Sequence, residues 1–258
     1  MKRALVTGAG QRLGAAMAIH LASKGYDVAV HYAGSADGAR EVVAQCQAFD
    51  QNAVALQADL LDPEAPQALF NAATEALGGP LTCLINNASI FEYDTLATAS
   101  LESWDRHMAS NLRAPLFLMQ AMAQQGLSAD TQAGEPVATG LVVNMVDQRV
   151  RKLTPEFMTY TLAKTGLWTL TQTAARGLAP HIRVNAIGPG PTLQGARQSK
   201  AHFEAQRAAT VLERGADTQD ITQALDYFLS ARAVTGQLLC VDGGQHLAWK
   251  TPDIQGVE

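Results

Sequence analysis

The sequence predicts one doubly wound α/β domain: a seven-stranded parallel sheet with helices on both faces. Three observations carry that expectation. Short, nearly unbroken runs of Val, Leu, Ile and Ala alternate with longer amphipathic stretches along the whole chain, the pattern of strands covered on both faces and the helices that join them. Only 17% of the 258 residues are charged, against roughly 25% in an average soluble domain, so much of the chain is expected inside. A glycine-rich turn closes the first apolar run and opens the first amphipathic one.

Taken in order, the first strand is expected at residues 3–6, where an apolar run stops at Gly8. A secretion signal needs about 7–15 apolar residues, so the strand reading wins. Amphipathic residues 12–24 form the first helix. Strand 27–32, helix 36–49, strand 53–57 and helix 63–77 repeat the unit, and strand 81–86 leads into one long helix at 101–125. Residues 128–140 are small and polar and read as a surface loop. Strand 141–145, helix 155–178, strand 183–187, helix 218–230 and strand 237–241 complete the alternation. Residues 188–215 are too long for a plain connection and open on Gly-Pro-Gly-Pro. In such sheets ligands bind beyond the carboxyl ends of strands, so this segment is read as a substrate lid. The whole chain, 1–258, is then one domain, with 250–258 as a flexible tail.

Composition excludes other classes. Nineteen Lys and Arg against 24 Asp and Glu give a net charge of −5 with no basic cluster, which argues against nucleic acid as a partner. No apolar stretch approaches the roughly 20 residues of a membrane helix. Three cysteines, Cys46, Cys83 and Cys240, are spaced too far apart for a metal site and read as buried thiols of a cytoplasmic protein.

The turn Thr7-Gly8-Ala9-Gly10-Gln11-Arg12-Leu13-Gly14 runs from strand to helix. Glycines there let the backbone approach a pyrophosphate, and the helix N-terminus supplies N–H donors and a partial positive charge. These residues resemble the short-chain dehydrogenase/reductase family, whose pattern is T-G-x-x-x-G-x-G, with Arg12 in place of the middle glycine. Asp59-Leu60, Asn86-Asn87-Ala88, Asn111, Tyr160 with Lys164, Pro189-Gly190 and Val241-Asp242-Gly243-Gly244 follow in register. The resemblance spans nearly the whole chain. It implies a Rossmann-type fold, a nicotinamide cofactor and a homotetramer. It further implies that Gly8, Leu13, Gly14, Asp59, Leu60, Asn87, Ala88, Ser89, Pro189, Gly190 and Thr192 line the cofactor, and that Asn111 supports the lysine through water.

The second strand points to NADP(H). No carboxylate that would repel a 2′-phosphate stands at its end, whereas His31, Tyr32 and Ser35 offer donors, with Arg12 near. Tyr160 and Lys164 are four apart in a helix, on one face and about 6 Å apart along its axis. A lysine cation favours the phenolate, so Lys164 is expected to lower the Tyr160 pKa and make it a proton donor near neutrality.

Thirteen residues before Tyr160, where the family usually has serine, stands Asp147. A carboxylate beside a carbonyl gaining hydride would oppose the growing oxyanion. Reduction of C=N instead needs a proton at nitrogen. Arg12, Asp147, Tyr160 and Lys164 together resemble the pteridine reductase branch. There the aromatic two beyond Ser89, here Phe91, would stack on the pterin, and Tyr93 is its alternate. The function expected is NADPH-dependent reduction of a pterin or dihydrofolate C=N, with a ketone or 3-oxoacyl carbonyl reductase as the alternative. A cofactor-sensing module without turnover is the remaining reading, disfavoured by the intact Tyr160, Lys164 and Asn111.

Overall fold

A computed structural model of the protein, describing residues 2–195 and 198–249, bears out the sheet. Seven parallel strands stand in the order β3-β2-β1-β4-β7-β8-β9. They are β1 (Lys2–Val6), β2 (Tyr26–Tyr32), β3 (Ala53–Gln57), β4 (Cys83–Asn86), β7 (Gly140–Met145), β8 (Ile182–Pro189) and β9 (Leu238–Val241). Helices α1 (Arg12–Ser23), α2 (Ala36–Gln47), α3 (Ala65–Ala76), α4 (Leu101–Met108), α5 (Ala114–Gln124), α6 (Met158–Gly177) and α8 (Thr218–Ser230) cover it.

Neighbouring residues on one strand feed opposite layers. Leu5, Leu84 and Val142 join Leu69, Phe70, Leu118 and Met122 on one face. Val6, Ile85 and Val143 join Met17, Leu21 and Phe228 on the other. This is why the strands read as unbroken apolar runs, and why charge is scarce. Cys46 and Cys83 are buried thiols and Cys240 is half-buried. Strand order reverses between β1 and β4, and Val6 pairs with both Val30 and Ile85. The crevice beyond these carboxyl ends is where such a sheet holds its ligand.

Four details differ from the sequence reading. The long helix 101–125 is broken by a π-helical turn, Ala109–Arg113, where the Ala114 N–H reaches back to the Ala109 carbonyl. Pro115 has no N–H for the Asn111 carbonyl, and the wider turn accommodates that loss. The loop 128–140 contains a short exposed hairpin, β5 (Asp130–Gln132) and β6 (Glu135–Val137). It turns at Ala133 and Gly134, with φ of 53° and 85°, the positive pair a two-residue hairpin turn requires. The excursion after β8 carries its own helix, α7 (Lys200–Ala208), capped by Ser199. Finally, α6 begins at Met158, not at 155, because Phe157 sits in the left-handed region with φ 56° and ψ 50°. The tail assigned to residues 250–258 lies outside the described residues.

Candidate active site

Asp147 follows β7 and Tyr160 and Lys164 rise from α6 beside it, so parallel pairing brings chain-distant groups to one sheet edge. The Tyr160 hydroxyl donates to Asp147 Oδ2 at 2.9 Å. Asp147 Oδ1 accepts the Arg149 N–H at 2.8 Å. Lys164 is buried and its Nζ donates to the Met145 carbonyl at 2.7 Å, while lying 5.7 Å over the Tyr160 ring.

The electrostatics reverse one expectation. Burial, then the charge and hydrogen bond of Asp147, push the Tyr160 hydroxyl above its ordinary value. The lysine does not acidify it here, because a carboxylate lies nearer the hydroxyl and burial opposes any phenolate. Burial also pushes Lys164 down to about 8, against the pull of Asp147. Asp147 itself is raised by burial, outweighing the Arg149 N–H, Tyr160 and the nearby cations. The proton therefore resides on the tyrosine, poised between a carboxylate and whatever base approaches from the crevice.

Aromatic walls stand beside this pair. Phe91, 45% exposed, meets the Tyr160 ring edge-on at 4.7 Å and stacks on Phe157 at 4.3 Å with 12° between planes. The alternate, Tyr93, packs edge-on against Phe157 at 5.2 Å, and the Arg149 guanidinium lies 5.0 Å over the same ring. Ser89 is exposed and its hydroxyl also faces Tyr160. Phe157 and Arg149 are absent from the sequence-derived set. The signal for Phe157 was there: it precedes Tyr160 by three residues, one helical turn. Arg149 left no comparable signal.

The glycine loop is built as a phosphate cradle. A Cβ on Gly14 would stand 2.2 Å from the Gly8 carbonyl and 2.6 Å from Asn87 Nδ2, and one on Gly10 would stand 2.3 Å from Ser35 Oγ. Only glycine fits this folding of the turn onto itself at the head of α1, the end of a helix that favours an anion. Asn87 Nδ2 ties the carbonyls of Thr7 and Gly8 at 2.8 and 3.0 Å, and the Ala88 N–H donates to Thr7 Oγ1 at 3.0 Å. Half-buried Leu13 packs on the core and Leu60 is buried. Asp59 is exposed, its carboxylate accepting the Leu61 N–H. Arg12, at φ 56°, donates to the Gln194 and Leu193 carbonyls at 2.9 and 3.1 Å. It thus joins the cradle to the excursion after β8.

Several residues sit otherwise than expected. His31 is no phosphate donor: it is 1% exposed, its Nδ1 accepts the Gly8 N–H at 3.0 Å and its Nε2 meets the Ala58 carbonyl at 3.1 Å. Alternation along β2 turns it into the sheet, where burial lowers its pKa and it braces the glycine loop. Tyr32 and Ser35, both half-buried, remain at the strand end, Ser35 at the N-terminus of α2. Asn111 is wholly buried. Its carboxamide accepts the Ile90 N–H and donates to the Ile90 carbonyl, at 2.9 and 2.8 Å, so it holds the Ser89–Phe91 loop. Thr192 is buried and donates to the Gly190 carbonyl. A Cβ on Gly190 would strike the Asp242 Cβ at 2.5 Å, and neighbouring Pro189 ends β8 at the rim.

A parallel sheet of this order, a glycine cradle at its switch point, and a Tyr and Lys one helical turn apart define a class of nicotinamide-dependent enzymes. The chain belongs to the short-chain dehydrogenase/reductase family: a family model described as enoyl-(acyl carrier protein) reductase matches residues 8–246. Within that family it is similar to the FolM alternative dihydrofolate reductase 1 of Brucella suis, solved in complex with NADP. The two share 42% identity over 98% of each chain, with a TM-score of 0.90. It is 32% identical to pteridine reductase 1 of Leishmania tarentolae, over 95% of this chain and 96% of that protein. It is 31% identical to the 3-oxoacyl-[acyl-carrier-protein] reductase FabG of Staphylococcus aureus strain Mu50, over 95% and 98%.

Proposed function

We propose that the protein is an NADP(H)-dependent reductase that adds hydride to a C=N bond of a dihydropterin or dihydrofolate. The observation that carries this reading is the Tyr160–Asp147 hydrogen bond at 2.9 Å, a carboxylate where an oxyanion-forming reductase needs a neutral donor. The cradle fits the cofactor by its crowded glycines at the head of α1, and residues 30–36, at and just after the end of β2, include no carboxylate. When bound, NADPH supplies the hydride. Tyr160 delivers its proton to the ring nitrogen, and Asp147 holds that hydroxyl in line and engages heterocycle N–H groups. Lys164 keeps a positive charge behind the tyrosine. Phe91 offers a flat apolar face to an aromatic bicycle, with Ser89 at its edge. Arg12 and the residues 188–215 close over the site as a lid. The likeness to FolM and pteridine reductase 1 supports the same substrate class.

Carbonyl reduction is the second reading, favoured by the FabG relatives. NADPH consumption, followed by absorbance with dihydrobiopterin, dihydrofolate and simple ketones offered separately, decides between them. Ketone turnover without pterin turnover would overturn the first. We further propose a cytoplasmic location and a homotetramer, the latter supported by exposed Leu101, Trp104, Leu116 and Phe117 along α4 and α5 and Leu162 on α6. Sedimentation velocity tests its mass.

A further inference from the structure

We propose that His107, Thr159 and Asp94 are positioning residues: a buried polar chain that holds Phe91, Phe157 and Tyr160 in register and works only while His107 is neutral. The inference rests on reading those three rings as walls of the substrate site.

His107, on α4, is wholly buried, and Asp94 and Thr159 are 2% exposed. The Glu92 N–H lies 3.1 Å from His107 Nε2. A backbone N–H only donates, so Nε2 accepts and the neutral ring carries its proton on Nδ1. Nδ1 stands 2.7 Å from Thr159 Oγ1, and that hydroxyl donates in turn to Asp94 Oδ2. Asp94 Oδ2 also accepts Ser103 Oγ at 3.1 Å, and Oδ1 accepts the Thr159 N–H at 3.2 Å. Each donor along the chain meets an acceptor, a satisfied network of the kind that rigidifies its surroundings.

What hangs from this network is the substrate side of the site. Glu92 follows Phe91. Thr159 precedes Tyr160, whose ring lies edge-on to His107 at 5.9 Å. The Asp94 carbonyl accepts the Phe157 N–H at 2.7 Å, fixing the left-handed residue whose ring stacks on Phe91. All three walls are thus anchored through one histidine, one threonine and one aspartate, none of which faces the crevice.

The groups facing His107 are the carboxylates of Asp94 and Glu92, the Arg106 cation, the Ser103 carbonyl, the Thr159 hydroxyl and the Tyr160 ring. Burial outweighs the two carboxylates and holds the imidazole below its ordinary pKa. For Asp94, hydrogen bonds from Thr159 and Ser103 outweigh burial and keep the carboxylate ionised. Protonating His107 places a second N–H against the Glu92 N–H, and the tie to the Phe91 loop is lost. Substrate affinity therefore declines on the acid side of the ordinary histidine range.

The test uses the full-length enzyme and whichever dihydropterin or ketone the wild type turns over, so a wrong substrate assignment shows in the wild type and leaves this inference intact. Thr159→Val, which keeps shape but removes the hydroxyl, is expected to raise substrate KM about tenfold, the effect of one orphaned buried donor. Its NADPH KM stays within about twofold, kcat falls by less than KM rises because Asp147 still holds the Tyr160 hydroxyl, and Thr159→Ser restores KM. In wild type KM climbs as pH falls below the His107 titration, and His107→Gln, which retains an acceptor without titrating, flattens that limb. An unchanged KM in Thr159→Val, or the same acid limb in His107→Gln, overturns the proposal. Imidazole nitrogen NMR of the unmutated protein decides it without any variant: an Nδ1–H tautomer titrating with the KM limb supports it, and an Nε2–H tautomer overturns it.

Discussion

The Tyr160 hydroxyl and the Asp147 carboxylate, thirteen residues apart in the chain, meet at 2.9 Å at the end of β7, beside a lysine that is itself buried. Asp147 and Lys164 favour each other's charge, while Asp147 disfavours a Tyr160 phenolate. Burial raises the two acids and lowers the base, a displacement of pKa values typical of sites that move protons near neutrality.

Replacing Asp147 with serine separates the two substrate classes. Asp147→Ser is expected to lower dihydropterin turnover about a hundredfold, the usual worth of one positioned proton-transfer group. Binding of NADPH, titrated by fluorescence, is expected to stay within about twofold, since the role proposed for Asp147 is toward the substrate. Equal pterin turnover in the two proteins would remove the carboxyl from the mechanism.

Lys164 sets opposite pH slopes for activity and stability. Its folded value of about 8 lies below the unfolded 10.5, so between them the unfolded chain binds more protons. Stability from this group therefore rises with pH through that window and is least where the buried amine is fully charged, below about 8. Turnover needs the cation and falls above about 8. Thermal midpoints and kcat measured across this range show the crossing slopes, and Lys164→Met abolishes both while removing most turnover.

Arg12 occupies a left-handed position where glycine is unstrained. Arg12→Gly therefore removes the guanidinium without backbone penalty. The bonds to Leu193 and Gln194 vanish, so protease cleavage within 188–215 accelerates. NADPH affinity falls about tenfold, as expected for losing one charge-assisted contact. Unaltered cleavage would show that Arg12 does not hold the segment after β8.

Two glycines give contrasting outcomes. Gly14→Ala forces a methyl onto the Gly8 carbonyl and is expected to cost about 1–3 kcal/mol of stability along with cofactor binding. Gly177, the last residue of α6, has no heavy atom within 4 Å of a built Cβ, and Gly177→Ala should gain about 0.4–1 kcal/mol. Urea titrations of both variants check the signs.

The fold was legible because its determinants are local. Residue pairs such as Leu5 and Val6 alternate between two apolar layers, and a sheet covered on both faces turns that into a continuous apolar run. The π-turn at Ala109–Arg113 was missed although Pro115 marked it, since a proline early in a helix also suits an ordinary start. His31 was misplaced for a physical reason of the same kind. Its type suggested a donor to phosphate, but which face of β2 it occupies depends on register with β1 and β3.

By itself the sequence determined the layered sheet, the glycine cradle, and the pairing of Tyr160 with Lys164, all fixed by spacings of a few residues. Only the tertiary structure decided that the Tyr160 hydroxyl donates to Asp147, that Arg12 grips the segment after β8, and that Asn111 and His107 serve the Phe91 loop. Those contacts join residues from 13 to 182 positions apart, and they exist because parallel strands deliver their carboxyl ends to one edge. Hydrogen-bond partners and burial, and hence the pKa values, are properties of that edge and not of any local pattern.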